Sequence, residues 1–417
     1  MKTRLLFLLF LLCSIAGKAQ RNYSTVLQSY LNAQEKVHGF GGAVFITKKG
    51  KVVLEKAFGQ ANREGNIPNS IQTKFRIGSI TKQFTAAAIL QLQETGKLNV
   101  GDKLSKYFSD YPKGDSVTLH MLLNHTSGIK DFISIPRISS FSTLSDPRDS
   151  VIAAVKKEPY DFSPGTKYNY SNSGYFLLGC IIEKVSGEPY STYILNNLIK
   201  KAGLLNTSVD RSMNIPFSAG AMVSTVEDLY KWNKSLFGGK VISPAMFTMM
   251  TTRNLNRYGY GLVVDSLYNR KLIGHSGVIA EFLSYDFIFP DEDTHVIILS
   301  NSDTNLAAIS SAINAILFDK EVINPYKHVE LKVDVKNFER FLGKYQTDIG
   351  VFELIIKDNK LFRRTKGGDM ELKPESETQL FFSDGSDRQL NFVLDGRNVI
   401  KAQIIRDGVV QEVKKIN

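Results

Sequence analysis

The chain has 417 residues, 43% hydrophobic and 22% charged, with a formal net charge of +11 and two cysteines. About 400 residues is too long for one ordinary core, so two domains are expected, one of them large. The lysines and arginines form no dense run interleaved with aromatics, which argues against nucleic acid, and neither His-Glu-x-x-His nor paired cysteines suggest a metal.

The first nineteen residues read as a secretory signal. Lys2 and Arg4 precede an apolar run from Leu5 to Leu12, and Gly17-Lys18-Ala19 offers a small-x-small cleavage site. Cleavage is expected after Ala19, giving a periplasmic or secreted protein. Leu12 is bulky where a lipoprotein signal before Cys13 would want a small residue. No later stretch approaches the roughly 20 apolar residues of a membrane helix. Removing the signal lowers the net charge to about +8. Such a surface could attract anionic cell-wall polymers, or its lysines could simply keep it solvated. The mature chain would retain Cys180 alone, which rules out an internal disulfide and marks that residue as a small buried side chain.

Residues 42 to 58 read as a hairpin turning at Lys48-Lys49-Gly50-Lys51. A helix is predicted from Ser79 to Gly96, followed by a helical, loop-rich middle punctuated at Ser163-Pro164-Gly165. Strands are predicted around 258–264, 281–289 and 295–299. Strands, then helices, then strands imply an α/β (α+β) domain whose antiparallel sheet is built from both ends and carries an inserted helical lobe. Past about residue 325 come short alternating runs and the turn pairs Asp358-Asn359, Asp384-Gly385, Asp395-Gly396 and Asp407-Gly408. They imply a C-terminal all-β accessory module over 326–417, a small barrel, after a catalytic domain over 20–325.

Three short motifs carry chemistry: Ser79-Ile80-Thr81-Lys82, Tyr170-Ser171-Asn172 and His275-Ser276-Gly277. A serine hydroxyl is a weak nucleophile without a neighbouring base. At a helix start, Ser79 and Lys82 lie one turn apart on one face, and the free amides of that terminus favour developing negative charge. Lys82 can accept a proton only if burial or nearby positive charge lowers its pKa. A phenol such as Tyr170 can relay a proton, and an amide such as Asn172 can hold a lysine and donate to a carbonyl. For Tyr-x-Asn alone, the plain alternative is a hydrogen-bonded loop.

Together with Phe75-Arg76-Ile77-Gly78, Leu122-Leu123-Asn124-His125-Thr126-Ser127-Gly128, Ser163-Pro164-Gly165 and Gly220-Ala221-Met222-Val223-Ser224-Thr225, this trio resembles the serine β-lactamase and penicillin-binding protein superfamily. The likeness is greatest to class C β-lactamase-like serine hydrolases and spans roughly 25 to 320. It implies Ser79 as the acylated nucleophile, Lys82 as its proton acceptor, Tyr170 as general acid and base, and Asn172 as the group orienting Lys82 and the substrate amide. Backbone amides of Ser79 and Val278 would form the oxyanion hole, with Ser276 and Gly277 against the substrate and no cofactor or metal. His275 stands where β-lactamases usually carry lysine, so its grip on a substrate carboxylate should be weaker and more pH-dependent. The implied substrates are a D-peptide or amide, a β-lactam or an ester, with cell-wall peptidoglycan as a possible partner. Glu281, where many relatives are glycine-rich, reads as a solvated side chain.

Two rival readings bear on the same residues. Gly274-His275-Ser276-Gly277 nearly spells a nucleophile elbow, but its second glycine comes one residue early and a strand-like segment follows instead of a helix. His125 beside Thr126-Ser127 reads as a structural histidine bonded to backbone. A β-lactam or cell-wall sensor that never turns over is the alternative from another class. Lys82 and Tyr170 together argue against it, since a pure binder needs neither.

Overall fold

The computed structural model describes residues 22–396 and 398–416. The signal-peptide reading and Cys13 lie outside the described residues. After the helix α1 (Tyr23–His38), β1 (Gly42–Lys48) and β2 (Lys51–Phe58) form the expected hairpin. Four more strands come from the other end of the domain: β3 (Val263–Leu267), β4 (Arg270–Ile279), β5 (Phe282–Phe289) and β6 (Thr294–Ser300). They make one antiparallel sheet in the order β2-β1-β6-β5-β4-β3.

The inner strands are apolar on both faces because both faces are covered. Val44, Ile46, Val296 and Ile298 pack against Leu27 and Leu31 of α1 and Ile309, Ile313 and Ile316 of α5 (Leu306–Leu317). The alternate residues Ala43, Phe45, Ile297 and Leu299 join the core of the inserted helical lobe. Alternation along a pleated strand sends successive side chains to opposite layers, so a continuous apolar run is what a central strand between two helical layers requires.

At the centre of the lobe lies α2 (Thr81–Glu94), buried around its whole circumference from Thr81 to Leu92. Against it pack α3 (Asn172–Ser186) and α4 (Val226–Phe237). Trp232 of α4 stacks on Phe84 at 3.9 Å between ring centroids and donates its indole N–H to Gln83 at 2.9 Å. Burying an aromatic of that size contributes about 2–3 kcal/mol and pins the helix start on which the first motif sits. Cys180 is buried and free on α3, and burial pushes its thiol up to about 12.

Two sequence expectations need correction. The strand expected at 258–264 starts only at Val263, as β3: Tyr258 follows a short 3₁₀ turn, Leu255–Arg257, and pairs through a single bridge with Val263 across a bend. The strand that the sequence did not announce is β4, which contains Gly274-His275-Ser276-Gly277 in its interior, in keeping with the rejection of a nucleophile elbow there. Alternating aromatics and glycines gave 258–264 the look of a strand, while the glycines and polar residues of β4 concealed one.

The C-terminal segment forms a closed eight-stranded antiparallel barrel between Gly343 and Ile416. Two of the expected turns carry left-handed pairs, with φ of 52° and 59° at Asp358-Asn359 and 53° and 77° at Asp407-Gly408, the geometry of tight two-residue hairpins. Phe338, Phe341, Tyr345, Phe352 and Phe392 fill the barrel core. The connecting chain is tied to the last hairpin by Ile323 N–H to Gly408 O at 2.8 Å and Val410 N–H to Glu321 O at 3.0 Å.

Candidate active site

Ser79 lies in a single 3₁₀ turn, Gly78–Ile80, that leads directly into α2. It is partly exposed at the floor of a cleft of about 820 Å³, whereas Lys82 is completely buried behind it. Lys82 Nζ lies 3.0 Å from Ser79 Oγ, 2.7 Å from Asn172 Oδ1 and 2.8 Å from the carbonyl of Ala219. The Tyr170 ring lies 4.8 Å from the same nitrogen.

Desolvation pulls Lys82 from its ordinary 10.5 down to about 7, and the carboxylate of Asp131 opposes that fall. As a neutral amine Lys82 has two N–H donors and one lone pair. Asn172 Oδ1 and Ala219 O can only accept, so they take both donors and leave the lone pair for the Ser79 hydroxyl proton.

The second motif comes from the entry to α3. Ser171 is extended and Asn172 is the first helical residue, so Tyr170 and Asn172 flank the start of a helix and both line the cleft. Asp131 fixes Asn172: it accepts the side-chain N–H at 3.0 Å through Oδ2 and the backbone N–H at 3.2 Å through Oδ1. That orients the amide with its oxygen toward Lys82. The Tyr170 hydroxyl is buried and makes no full hydrogen bond among the described residues. Burial pushes its phenol far up, and the nearby Ser79 side chain opposes this.

The third motif arrives on β4. An added Cβ on Gly277 would stand 2.2 Å from the carbonyl of Ile77, and one on Gly78 would stand 3.0 Å from Val278 N. Glycine at both positions lets the strand edge close on the turn that bears Ser79. Gly78 also needs its left-handed φ of 50°. Val278 holds its side chain 73% exposed, and Gly277 faces Ile77 without lining the cleft. Ser276 and His275 do line it.

His275 is buried, and desolvation together with Lys82 pushes its imidazole down to about 3. Its Nδ1 contacts the carbonyl of Ser276, which can only accept, so Nδ1 carries the proton and Nε2 accepts from the Tyr258 hydroxyl at 2.8 Å. His125 is likewise buried, and its Nδ1 accepts the backbone N–H of Ser171 at 3.2 Å, the structural role expected of it.

The structure therefore brings Ser79, Lys82, Tyr170, Asn172, His275 and Ser276 to one cleft. Three participants gave no usable sequence signal. Asp131 is a solitary acid just past the His125-Thr126-Ser127-Gly128 segment, Ala219 contributes only a carbonyl, and Tyr258 belongs to the stretch that mimics a strand. A larger cleft of about 1160 Å³ lies between α1 and the barrel near His38, Tyr326 and His328, away from Ser79. No helix among the described residues is long and apolar enough to cross a membrane.

Known proteins resemble this chain in sequence and in fold. The Beta-lactamase family model matches residues 31–317. PbpX of Bacillus subtilis (strain 168) is 31% identical over 70% of this chain and 78% of its own length. Penicillin-binding protein 4* of the same organism is 25% identical over 90% of this chain and 97% of its own. Among solved structures, the octameric penicillin-binding protein homologue from Pyrococcus abyssi is 26% identical, with a TM-score of 0.66 over 94% of this chain and 99% of that one. D-amino acid amidase from Ochrobactrum anthropi SV3, at 22% identity and a TM-score of 0.64 over 72% and 98%, shares the fold. The chain belongs to the beta-lactamase family and is a serine hydrolase of the β-lactamase and penicillin-binding-protein fold.

Proposed function

We propose that the protein hydrolyses an acyl compound through a covalent ester on Ser79, with Lys82 as the base. The observation that carries this reading is the 3.0 Å contact between Lys82 Nζ and Ser79 Oγ, with the other two partners of that nitrogen able only to accept. As Ser79 Oγ bonds to the substrate carbonyl carbon, its proton passes to Lys82. The N–H groups of Ser79 and Val278 hold the resulting oxyanion, each such donor contributing about 3–4 kcal/mol to the transition state. Tyr170 delivers a proton to the departing amine or alcohol, and the tetrahedral centre collapses to the acyl-enzyme. Water then attacks the ester with the same groups acting in reverse, releasing the acid and restoring Ser79.

The substrate we propose is a peptide or amide carrying a D-residue, such as a cell-wall stem peptide. Relatives named as penicillin-binding proteins support this, as does the likeness to a D-stereospecific amidohydrolase from Streptomyces (25% identity, TM-score 0.59, 70% of this chain and 97% of that one). β-Lactams and esters are the alternative substrates for the same nucleophile. Export through the segment from Lys2 to Ala19 would bring the enzyme to such polymers.

Intact-mass measurement after exposure to a fluorophosphonate probe, which carries no carboxylate, with wild type and Ser79→Ala side by side, tests the assignment. One adduct on wild type and none on the variant is expected; labelling that survives in the variant refutes it. Turnover of D-alanyl amides, a chromogenic cephalosporin and nitrophenyl esters would then rank the substrates. An acyl-enzyme that persists for hours with every one of them would make the protein a sensor.

A further inference from the structure

The cleft is short of positive charge. No lysine or arginine lines it; Lys82 lies beneath its floor with no surface exposed and its nitrogen committed to three protein oxygens. His275, which the family resemblance sets at the position of a carboxylate-binding lysine, has both ring nitrogens engaged by Ser276 O and Tyr258 OH, so no N–H faces the substrate. Burial also keeps that ring neutral at any working pH.

The charged side chain that does line the cleft is an acid. Asp131 is partly exposed there, and its oxygens accept N–H groups of Asn172 and Ile133. Those donors are neutral dipoles, and the buried Lys82 amine, only half protonated near pH 7, offsets the carboxylate's charge in part. Ile133, Ile215, Pro216, Val278 and Ile279 give the same cleft apolar surface, and the donors that Tyr168, Asn256 and Ser276 add to its lining are neutral. A substrate carboxylate entering here would lose water, find no cation and meet a like charge.

We infer that this cleft selects acyl substrates with no carboxylate beside the scissile bond, so that the leaving group is a neutral amine or alcohol and not a free C-terminal amino acid. His275 and Asp131 set that preference, the first by withholding a cation and the second by repulsion. The inference rests on the Ser79 acyl-enzyme reading and narrows its substrate to the amide and ester side, away from carboxypeptidase action.

Two matched pairs test it on the wild-type protein. The first is a peptide ending in D-alanyl-D-alanine with its C terminus either free or amidated. The second is phenylboronic acid against 3-carboxyphenylboronic acid. These boronates form a bond from Ser79 Oγ to boron while the hydroxyl proton passes to Lys82, and so report affinity without needing turnover. The uncharged member of each pair is expected to win by at least about tenfold in kcat/KM or in inhibition constant. Asp131→Asn and His275→Lys should each narrow that ratio, whereas a merely structural lesion would depress both members equally. Equal or better use of the carboxylate-bearing member, with adducts absent in Ser79→Ala, overturns this inference and leaves the Ser79 reading intact. Failure of both boronates and both peptides to engage Ser79 overturns the acyl-enzyme reading and this one with it.

Discussion

Replacing Lys82 with arginine tests whether burial creates the base. With its ordinary pKa of 10.5, lysine at pH 7 would be neutral in about one molecule in 3000; at about 7 half of the molecules are neutral. The buried position thus raises the available base about 10³-fold, equivalent to roughly 4–5 kcal/mol. Arginine retains a positive charge at every accessible pH and forfeits the whole of this gain. Lys82→Arg should therefore acylate at least about 10³-fold more slowly at pH 7. In wild type the sign is fixed by the direction of the shift. The amine protonates below about 7, so single-turnover acylation should fall about tenfold per pH unit on the acid side and level off above. Because His275 is held down at about 3, no second inflection near the usual histidine value is expected. Stopped-flow acylation by a chromogenic ester between pH 5 and 9, confirmed by intact mass, measures both effects. A rate that is flat or falling as pH rises through 7, or an arginine variant within tenfold of wild type, would refute the assignment of Lys82 as base.

Three further outcomes follow from the packing. Gly277→Ala should cost about 1–3 kcal/mol in denaturant unfolding, because its Cβ would collide with Ile77 O, and should slow acylation by more than its effect on substrate binding, read as kcat against KM. Asp286 is buried on β5 against Asn233, at 2.6 Å from its Nδ2, with its carboxyl pushed up to about 7 from 3.8. A raised carboxyl binds its proton more tightly in the folded state, so its contribution to stability declines as pH rises from about 4 to about 7. Asp286→Asn should gain on the order of 3–4 kcal/mol relative to wild type across that window in urea titrations, and an unchanged difference would refute the shift. Cys180, with its thiol pushed up to about 12, should stay unmodified by iodoacetamide at pH 8 in the native protein and react fully in denaturant, as read by mass.

How much of the site was legible depended on whether its chemistry sat in side chains of distinctive spacing. Ser79 and Lys82 were readable because a helix fixes an i, i+3 pair on one face, and the β1–β2 hairpin and the barrel were readable because Gly, Asn or Asp marks left-handed positions in their turns, Gly50 beside a left-handed Lys49 in the first. Asn172 was placed in the right cleft by its residue type, while the backbone that presents it, the start of α3, is something the Tyr-x-Asn spacing does not specify. The strand β4 escaped notice because its two glycines serve close approach to Ile77 and Phe287, which is a demand of tertiary packing and leaves no mark in strand propensity. Ala219 acts through its carbonyl, and a carbonyl has no sequence identity. Asp131 is legible only once Asn172 is known to need a partner for its amide.

Burial of this pocket connects the base to substrate choice. Desolvation makes Lys82 a usable base, and the same dry surroundings, with Lys82 itself as the neighbouring charge, keep His275 neutral. A lysine in place of His275 would put a second ammonium near the first, and each would hold the other's pKa down. The imidazole avoids that conflict by spending one nitrogen on Ser276 O and the other on Tyr258 OH. What the cleft gives up is a cation for a substrate carboxylate. His275→Lys should therefore move the acid limb of acylation to lower pH while improving the relative use of carboxylate-bearing boronates. Either change without the other would separate the two functions that the buried pair now links.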